Sequence, residues 1–319
     1  MLRRTLFTLL AAASAGPALA QDFPARQITI LVPYNAGGIT DQLAREVGAK
    51  LSDLLKQTVL IDNKPGGGGQ IAANALKAAP ADGYTVLIAD FGPLALNASL
   101  FSKLSYDTAK DMRGVTRLIN SPSLLVVPPN APARTVDELF KAAKGGGAVT
   151  YASPGVGSGG HLFGAMLSRQ LGAALTHVPY RGSGPGLVDV SSGQVAFMFD
   201  SIVSSGAMAR SDKVRALAIG ADRRSLLFPQ VPTLKELGYE PLAAVSWFGA
   251  VVKAGTPDAV VDRLNAVLRA AITDPAVTKK FVDQGVEVVT STPQEFTAFI
   301  KAETERWGKV IHDAGIVVE

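Results

Sequence analysis

The chain has 319 residues, of which 47% are hydrophobic and 18% charged, and its net charge is +4. A chain of this length usually builds more than one hydrophobic core, so we expect two domains. So weak a charge predicts no nucleic-acid-binding surface. The absence of cysteine excludes thiol catalysis, cysteine-ligated zinc, iron–sulfur clusters and disulfide bonds.

The first twenty residues have the three parts of a secretory signal peptide. Arg3 and Arg4 give a basic start, residues 6–15 are apolar, and Ala18-Leu19-Ala20 fits a cleavage site. The apolar run is too short for a stable membrane anchor. We therefore expect cleavage after Ala20 and a periplasmic mature chain from Gln21 with a net charge of +2. The two arginines also fit a twin-arginine signal loosely, so the export route stays open.

Further along the chain, apolar segments typical of buried strands alternate with amphipathic, helix-like segments. A first series predicts strands at 28–32, 58–62 and 84–89, with helices from residue 40 and over 71–78. A second series begins near Ser123 and predicts strands at 124–127, 149–152, 176–178, 195–199 and 213–219, with helices over 136–144 and 160–171. A last strand at 248–252 precedes helical patterns over 257–271 and 293–311. This alternation predicts βαβ units and largely parallel sheets.

A glycine-containing segment, Gly37-Gly38-Ile39-Thr40-Asp41, joins the first strand to the first helix. Glycine allows a ligand to approach the backbone closely, and a helix N-terminus offers free N–H groups and partial positive charge. The segment can therefore bind an anion. The alternative is an ordinary strand-to-helix turn that Thr40 or Asp41 caps.

A second glycine-rich segment, residues 151–161, also leaves a strand and opens a helix, and Ser158 is a good N-cap. Gly155-x-Gly157-x-x-Gly160 formally matches the dinucleotide-binding fingerprint. That reading requires an acidic residue about twenty positions further on to bind the ribose. The first acid in that region is Asp189, which is too late, so a carboxylate-binding loop fits the segment better.

Three further residues have both a functional and a structural interpretation. Arg181 could pair with a ligand carboxylate or could be a solvated surface arginine. Asp200 follows a buried strand and could accept a hydrogen bond from a ligand amine or cap the following loop. Trp247 could form a pocket wall or belong to the core.

Catalytic templates fit the sequence poorly. It contains no G-x-S-x-G, H-E-x-x-H or phosphate-loop motif. Ser158, His161 and Asp200 could in principle form a catalytic triad, but His161 lies one helical turn from Ser158 and is better placed to pack or cap. We therefore predict a non-enzymatic protein without catalytic residues, metal or cofactor, and keep an enzyme as the alternative.

With these motifs in view, the whole mature chain resembles the tripartite tricarboxylate receptor family, also called Bug proteins. The motifs that carry the resemblance occur in order along the chain: Ala36-Gly37-Gly38-x-x-Asp41, Asp62-Asn63-Lys64-Pro65-Gly66, Asp82-Gly83-Tyr84-Thr85, Tyr151-Ala152-Ser153-x-Gly155-x-Gly157-Ser158-x-x-His161, His177-Val178-Pro179-Tyr180-Arg181-Gly182, Phe199-Asp200 and Trp247-Phe248-Gly249.

The resemblance implies a type II periplasmic-binding-protein fold, with two doubly wound α/β domains around a ligand cleft. Residues 21–121 with 246–319 would form one domain and 124–244 the other, with hinges near 122–123 and 245. The protein would be a monomer that binds a small carboxylate and delivers it to the membrane subunits of a tripartite tricarboxylate transporter. A sensor that reports to a signalling partner is an alternative of another class.

The resemblance also implies ligand contacts from Gly37, Gly38, Thr40 and Asp41 on one side and from Ser153, Gly157 and Ser158 on the other. The further candidates are His161, Arg181 and Asp200. Tyr34, Asn35 and Ile39 depart from the usual family pattern beside the expected pocket. We therefore expect a carboxylate site with an atypical surrounding, and the sequence does not choose among the carboxylates that the family handles.

Overall fold

The computed structural model describes residues 23–145, 149–239, 245–313 and 315–316. The expected signal peptide and its cleavage site lie outside these residues. Within them, no helix is both long enough and apolar enough to cross a membrane.

The described residues form the following strands: β1 (Ile28–Val32), β2 (Val59–Asn63), β3 (Thr85–Asp90), β4 (Met112–Ser121), β5 (Ser123–Val127), β6 (Val149–Ser153), β7 (Leu175–Pro179), β8 (Phe197–Ser201), β9 (Arg215–Gly220), β10 (Ser246–Lys253) and β11 (Glu287–Val288).

They also form these helices: α1 (Ile39–Leu55), α2 (Gln70–Ala78), α3 (Asn97–Leu100), α4 (Thr108–Asp111), α5 (Val136–Lys144), α6 (Gly159–Leu171), α7 (Ser183–Ser191), α8 (Ile202–Arg210), α9 (Asp258–Ile272), α10 (Pro275–Val282) and α11 (Pro293–Asp313). A 3-10 turn (Gly67–Gly69) precedes α2, and a π-helical turn (Gly92–Leu96) precedes α3.

The strands form two sheets. The first has the order β11-β4-β10-β3-β1-β2, and the second has the order β7-β6-β8-β5-β9. We call the first sheet with α1–α4 and α9–α11 the first lobe, and the second sheet with α5–α8 the second lobe. In the first sheet β1 lies between two parallel neighbours, β2 and β3, and in the second sheet β6 lies between two parallel neighbours, β7 and β8. The loops that follow these strands therefore gather at one edge of each sheet. In open α/β sheets this carboxyl edge is where ligands bind.

The expectation of largely parallel sheets is wrong for one half of each sheet. β5 pairs antiparallel with β8 and β9, and β10 pairs antiparallel with β3 and β4. β5 and β10 are the strands with which the chain enters a sheet after leaving the other one, and neither is paired with the strand that precedes it in the chain. β4 was itself not predicted from the sequence.

Some local helix signals are confirmed, but the predicted N-cap of the first helix is wrong, because α1 begins at Ile39 and its N-cap is Gly38 and not Thr40 or Asp41. The predicted 136–144 helix is α5, and the Thr135 hydroxyl accepts a hydrogen bond from the Glu138 N–H at 3.2 Å, as an N-cap does. In α1, the predicted apolar positions Leu43, Val47, Leu51 and Leu55 are buried, whereas Leu54 is 42% exposed. The sequence analysis missed the helices α3, α4, α7, α8 and α10, since glycine, serine or a short length masks their periodicity.

Candidate functional site

A small cavity lies between the two lobes, where loops from the carboxyl edges of both sheets meet. Its volume is about 50 Å³, several times what one water molecule needs. The residues that line it are Tyr34, Gly38, Ile39, Thr40, Asp90, Ser123, Pro154, Ser158, Gly159, Gly160, Gly182, Ser183, Phe199, Asp200, Ser201, Ser246 and Phe248.

Four helix N-termini converge on this cavity. Each contributes its N-cap or first residue to the lining: Gly38 and Ile39 for α1, Ser158 and Gly159 for α6, Gly182 and Ser183 for α7, and Ser201 for α8. All four helices have at least nine residues. The first turn of a helix has N–H groups without intrahelical partners and carries partial positive charge. The cavity can therefore bind a small anion through backbone groups contributed by both lobes.

The first glycine segment divides into lining and supporting residues. Gly38, Ile39 and Thr40 line the cavity, but Asp41 does not. The Asp41 carboxylate accepts hydrogen bonds from the Gly37 N–H at 2.9 Å, from Arg45 at 2.9 Å and from the Asn63 amide at 3.0 Å. Burial alone would raise the pKa of Asp41, but these bonds outweigh it and hold the pKa below its ordinary value. Asp41 therefore fixes the shape of the loop.

Tyr34 and Asn35 connect this loop to its surroundings. The Tyr34 side chain lines the cavity, and its hydroxyl donates to Asp90 Oδ1 at 2.8 Å. The Asn35 N–H donates to the Arg181 carbonyl at 3.2 Å, which joins the two lobes directly. This contact shows that the cleft is closed.

In the second glycine segment, Ser158 lines the cavity and caps α6. Its hydroxyl donates to the Gly155 carbonyl at 2.6 Å and accepts from the His161 N–H at 3.4 Å. Ser153 is fully buried, and its hydroxyl lies 2.6 Å from His177 Nε2. Neither Ser153 nor Gly157 belongs to the lining.

The triad drawn from the sequence is not assembled. His161 Nδ1 accepts the Gly157 N–H at 3.2 Å, and its ring stacks on His177 at 4.2 Å. Asp200 Oδ1 accepts from the Ser183 hydroxyl at 2.7 Å. The side chains of Ser158, His161 and Asp200 therefore bond to other groups and not to one another. His161 holds the glycine loop in place through the Gly157 N–H.

The acid sensitivity of this histidine pair can be predicted. Burial lowers the pKa of His161 to about 4, and burial together with His161 lowers that of His177 to about 3. Between about pH 6.5 and 4 the unfolded chain takes up protons that the folded chain does not, so stability falls as the pH falls. At about 1.4 kcal/mol per pKa unit, His161 accounts for up to roughly 3 kcal/mol.

We therefore expect the thermal midpoint of His161→Asn to fall less steeply over this window than that of the wild type. Asp90 and Asp200 have raised pKa values, so their protonation makes the folded state more stable as the pH falls and opposes the effect of the histidines. The quantity to measure is therefore the difference between the midpoints of variant and wild type. His312→Asn is the control, because the His312 side chain is 91% exposed. Parallel midpoint curves for His161→Asn and wild type would contradict the prediction.

Arg181 and Asp200 lie in different places. Arg181 is exposed and lines a second groove of about 400 Å³, which also spans both lobes and shares Tyr34 with the cavity. Asp200 lines the cavity itself and is 3% exposed. Trp247 is 2% exposed and is absent from the lining, so its core interpretation holds.

Sequence reasoning missed several lining residues, of which Asp90 matters most. Asp90 ends β3, directly after the apolar run 86–89, and is 7% exposed. The same signal, an acid directly after a buried strand, had identified Asp200. Ser123, Ser183, Ser201 and Ser246 carried no signal, because serines are common in loops and only the fold brings these four together.

Comparison with known proteins agrees with this geometry. Residues 43–316 match the tripartite tricarboxylate transporter family receptor. The protein BugT of Bordetella pertussis is 36% identical over 303 residues, which cover 94% of this chain and 93% of BugT. The periplasmic binding protein BugD superposes with a TM-score of 0.88 at 30% identity, over 92% of this chain and 99% of BugD. MatC from Rhodopseudomonas palustris with bound malate gives a TM-score of 0.87 at 32% identity, over 91% of this chain and 100% of MatC.

Two α/β lobes with a cavity between them, together with these likenesses, define a periplasmic solute-binding protein. The chain belongs to the tripartite tricarboxylate transporter receptor family. The predicted family, its two-domain fold and its non-enzymatic nature are thereby confirmed.

Proposed function

We propose that this protein captures a small carboxylate between its lobes and delivers it to the membrane subunits of a tripartite tricarboxylate transporter. The observation that carries the proposal is the convergence of four helix N-termini on one cavity. A carboxylate is the small organic anion that such groups bind well. The malate bound to MatC supports the same ligand class.

In this proposal the carboxylate accepts hydrogen bonds from backbone N–H groups at the starts of α1, α6 and α7. The first two N–H groups of α8 already donate to the Pro122 carbonyl and the Ser201 hydroxyl, so α8 contributes only its N-cap residue Ser201 to the cavity. Among the sequence candidates, Tyr34, Gly38, Ile39, Thr40, Ser158 and Asp200 form the binding surface. Asn35, Gly37, Asp41, Ser153, Gly157 and His161 support the loops that carry it. Arg181 faces the outer groove, where it would meet a distal anionic group of a longer ligand.

Capture requires the lobes to open and close. The proposed domains are residues 21–121 with 246–319 and residues 124–244, with hinges near 122–123 and 245. A ligand that contacts both lobes favours the closed state, so that binding and closure are coupled. The protein acts as a monomer in the periplasm after cleavage behind Ala20.

The test is a thermal-shift screen of the chain from Gln21 onward, unfolded and refolded first to remove any ligand carried through purification. A carboxylate at a hundred times its Kd adds about 2.7 kcal/mol, which raises the midpoint by roughly 5 °C or more. We expect such a shift from one class of carboxylates and none from nucleotides. A shift from nucleotides alone would overturn the proposal. Delivery is measured separately, as ligand uptake by cells that carry the membrane subunits with and without this protein.

A further inference from the structure

Two buried acids share the ligand cavity, one from each lobe. Asp90 ends β3 in the first lobe, and Asp200 lies in β8 of the second. They are 7% and 3% exposed. None of the described residues that line the cavity is a lysine, an arginine or a histidine. The side chains of the cavity can therefore supply negative charge but no positive charge.

Neither acid forms an ion pair with any residue that the structure describes. Asp90 Oδ1 accepts from the Tyr34 hydroxyl at 2.8 Å, and Asp200 Oδ1 accepts from the Ser183 hydroxyl at 2.7 Å. Asp200 Oδ2 is buried without a hydrogen-bond partner. The nearby Ser204 hydroxyl favours the ionised carboxylate slightly but does not reach hydrogen-bonding geometry.

Burying an ionised carboxylate without a cation beside it costs free energy, and this cost raises the pKa of the group. Burial raises the pKa of Asp90 to about 6 and that of Asp200 to about 7, although hydrogen bonds from Tyr34 and Ser183 oppose the shifts. A cation bound beside these groups would stabilise both ionised forms. The cavity thus combines helix N-termini for an anion with two acids that lack a cation.

We propose that Asp90 and Asp200 bind a positively charged amine of the ligand, so that the preferred ligand is a small zwitterionic amino acid instead of a plain carboxylate. The inference rests on the proposed function, because it assumes that the ligand occupies this cavity. The carboxylate of the ligand lies at the helix N-termini, and the ammonium group of the same ligand donates charge-assisted hydrogen bonds to the two acids.

The alternative is that the two acids are protonated when the ligand is bound. Protonated Asp90 and Asp200 would donate hydrogen bonds to an anionic ligand, and the cavity would then prefer acids without an amine. The two arrangements therefore predict opposite preferences between an amino acid and the corresponding acid without an amine.

The experiment is calorimetric titration of the refolded protein with two series of compounds of matched skeleton. Succinate, malate and aspartate carry hydrogen, hydroxyl and ammonium on the same four-carbon acid, and propionate, lactate and alanine do so on three carbons. Both enantiomers are used where they exist. In whichever series binds, we expect the amino acid to bind at least about ten-fold more tightly than its hydroxyl and unsubstituted counterparts, the scale of one charge-assisted hydrogen bond.

Asp90→Asn keeps the shape of the side chain and removes its charge. It should weaken binding of the amino acid by at least about ten-fold and strengthen binding of the unsubstituted acid, which the negative charge repels. Asp200→Asn should act in the same direction and provides a second, independent variant. Asp53→Asn is the matched control, since Asp53 is exposed and remote from the cavity lining.

Two results overturn the inference and are distinguishable from each other. If the unsubstituted or hydroxy acid binds as tightly as the amino acid, the amine site is wrong while the proposed function stands. If carboxylates and amino acids all fail to bind the folded protein, the proposed function fails and the inference with it.

Discussion

Gly92→Ala should weaken ligand binding at least about ten-fold while leaving the ligand-free protein folded. Gly92 opens the π-helical turn of the first lobe and faces the glycine loop of the second. A methyl group here would lie 2.7 Å from the Gly157 carbonyl oxygen, closer than carbon and oxygen pack. The lobes would have to stay apart, and the ligand would lose contacts with one of them. One lost charge-assisted hydrogen bond corresponds to roughly ten-fold in affinity or more.

The measurements are calorimetric affinity for the carboxylate found in the screen and the midpoint without ligand. Gly184→Ala is the matched control, because a methyl group at Gly184 would meet nothing within 4 Å. Its affinity should equal that of the wild type. An unchanged affinity in Gly92→Ala would mean that the close approach of Gly92 and Gly157 is not needed for binding.

Trp247→Ala should lower the free energy of unfolding by about 3–5 kcal/mol, the usual cost of removing a buried tryptophan. Trp247 is 2% exposed and packs on Phe91, Phe296 and Phe299 with ring centroids 5.1–6.2 Å apart. Its indole N–H also donates to Glu303 Oε2 at 2.9 Å. The substitution therefore leaves a cavity in the core of the first lobe and removes one donor from a buried carboxylate.

The expected shift in the thermal midpoint is roughly 10 °C downward. Trp247→Phe keeps most of the ring contacts and removes only the N–H, so it should cost less, about 1–3 kcal/mol. Trp307 still donates to Glu303 in both variants. Leu226→Ala is the surface control, since Leu226 is 98% exposed. A midpoint for Trp247→Ala within 2 °C of that of Leu226→Ala, the order of 1 kcal/mol, would contradict the core role.

The two glycine loops of the site could be predicted from the sequence, whereas much of the rest of the site could not. The glycine loops were found because a strand end, glycines and a helix start occur within a few adjacent residues. Ser158 was identified as an N-cap in this way, and the structure gives it that position. Arg181 had an equally plausible local pattern, but its side chain lies outside the cavity, because its loop faces the outer groove.

The pairing of Asp90 with Asp200 illustrates what local patterns cannot supply. The two residues are 110 positions apart and belong to different sheets. Each comes directly after an apolar run in the sequence, so each could be suspected on its own. Their presence in one cavity depends on how the lobes face each other, which no periodicity encodes.

By itself, the sequence determined the α/β class, most strands and helices, the two glycine loops and the family, because these depend on periodicity, capping and motifs within short segments. The tertiary structure alone decided the mixed sheets, the convergence of four helix N-termini and the burial of two acids without a cation. The physical reason is that these features depend on strand order and lobe contacts, which join residues far apart in the chain.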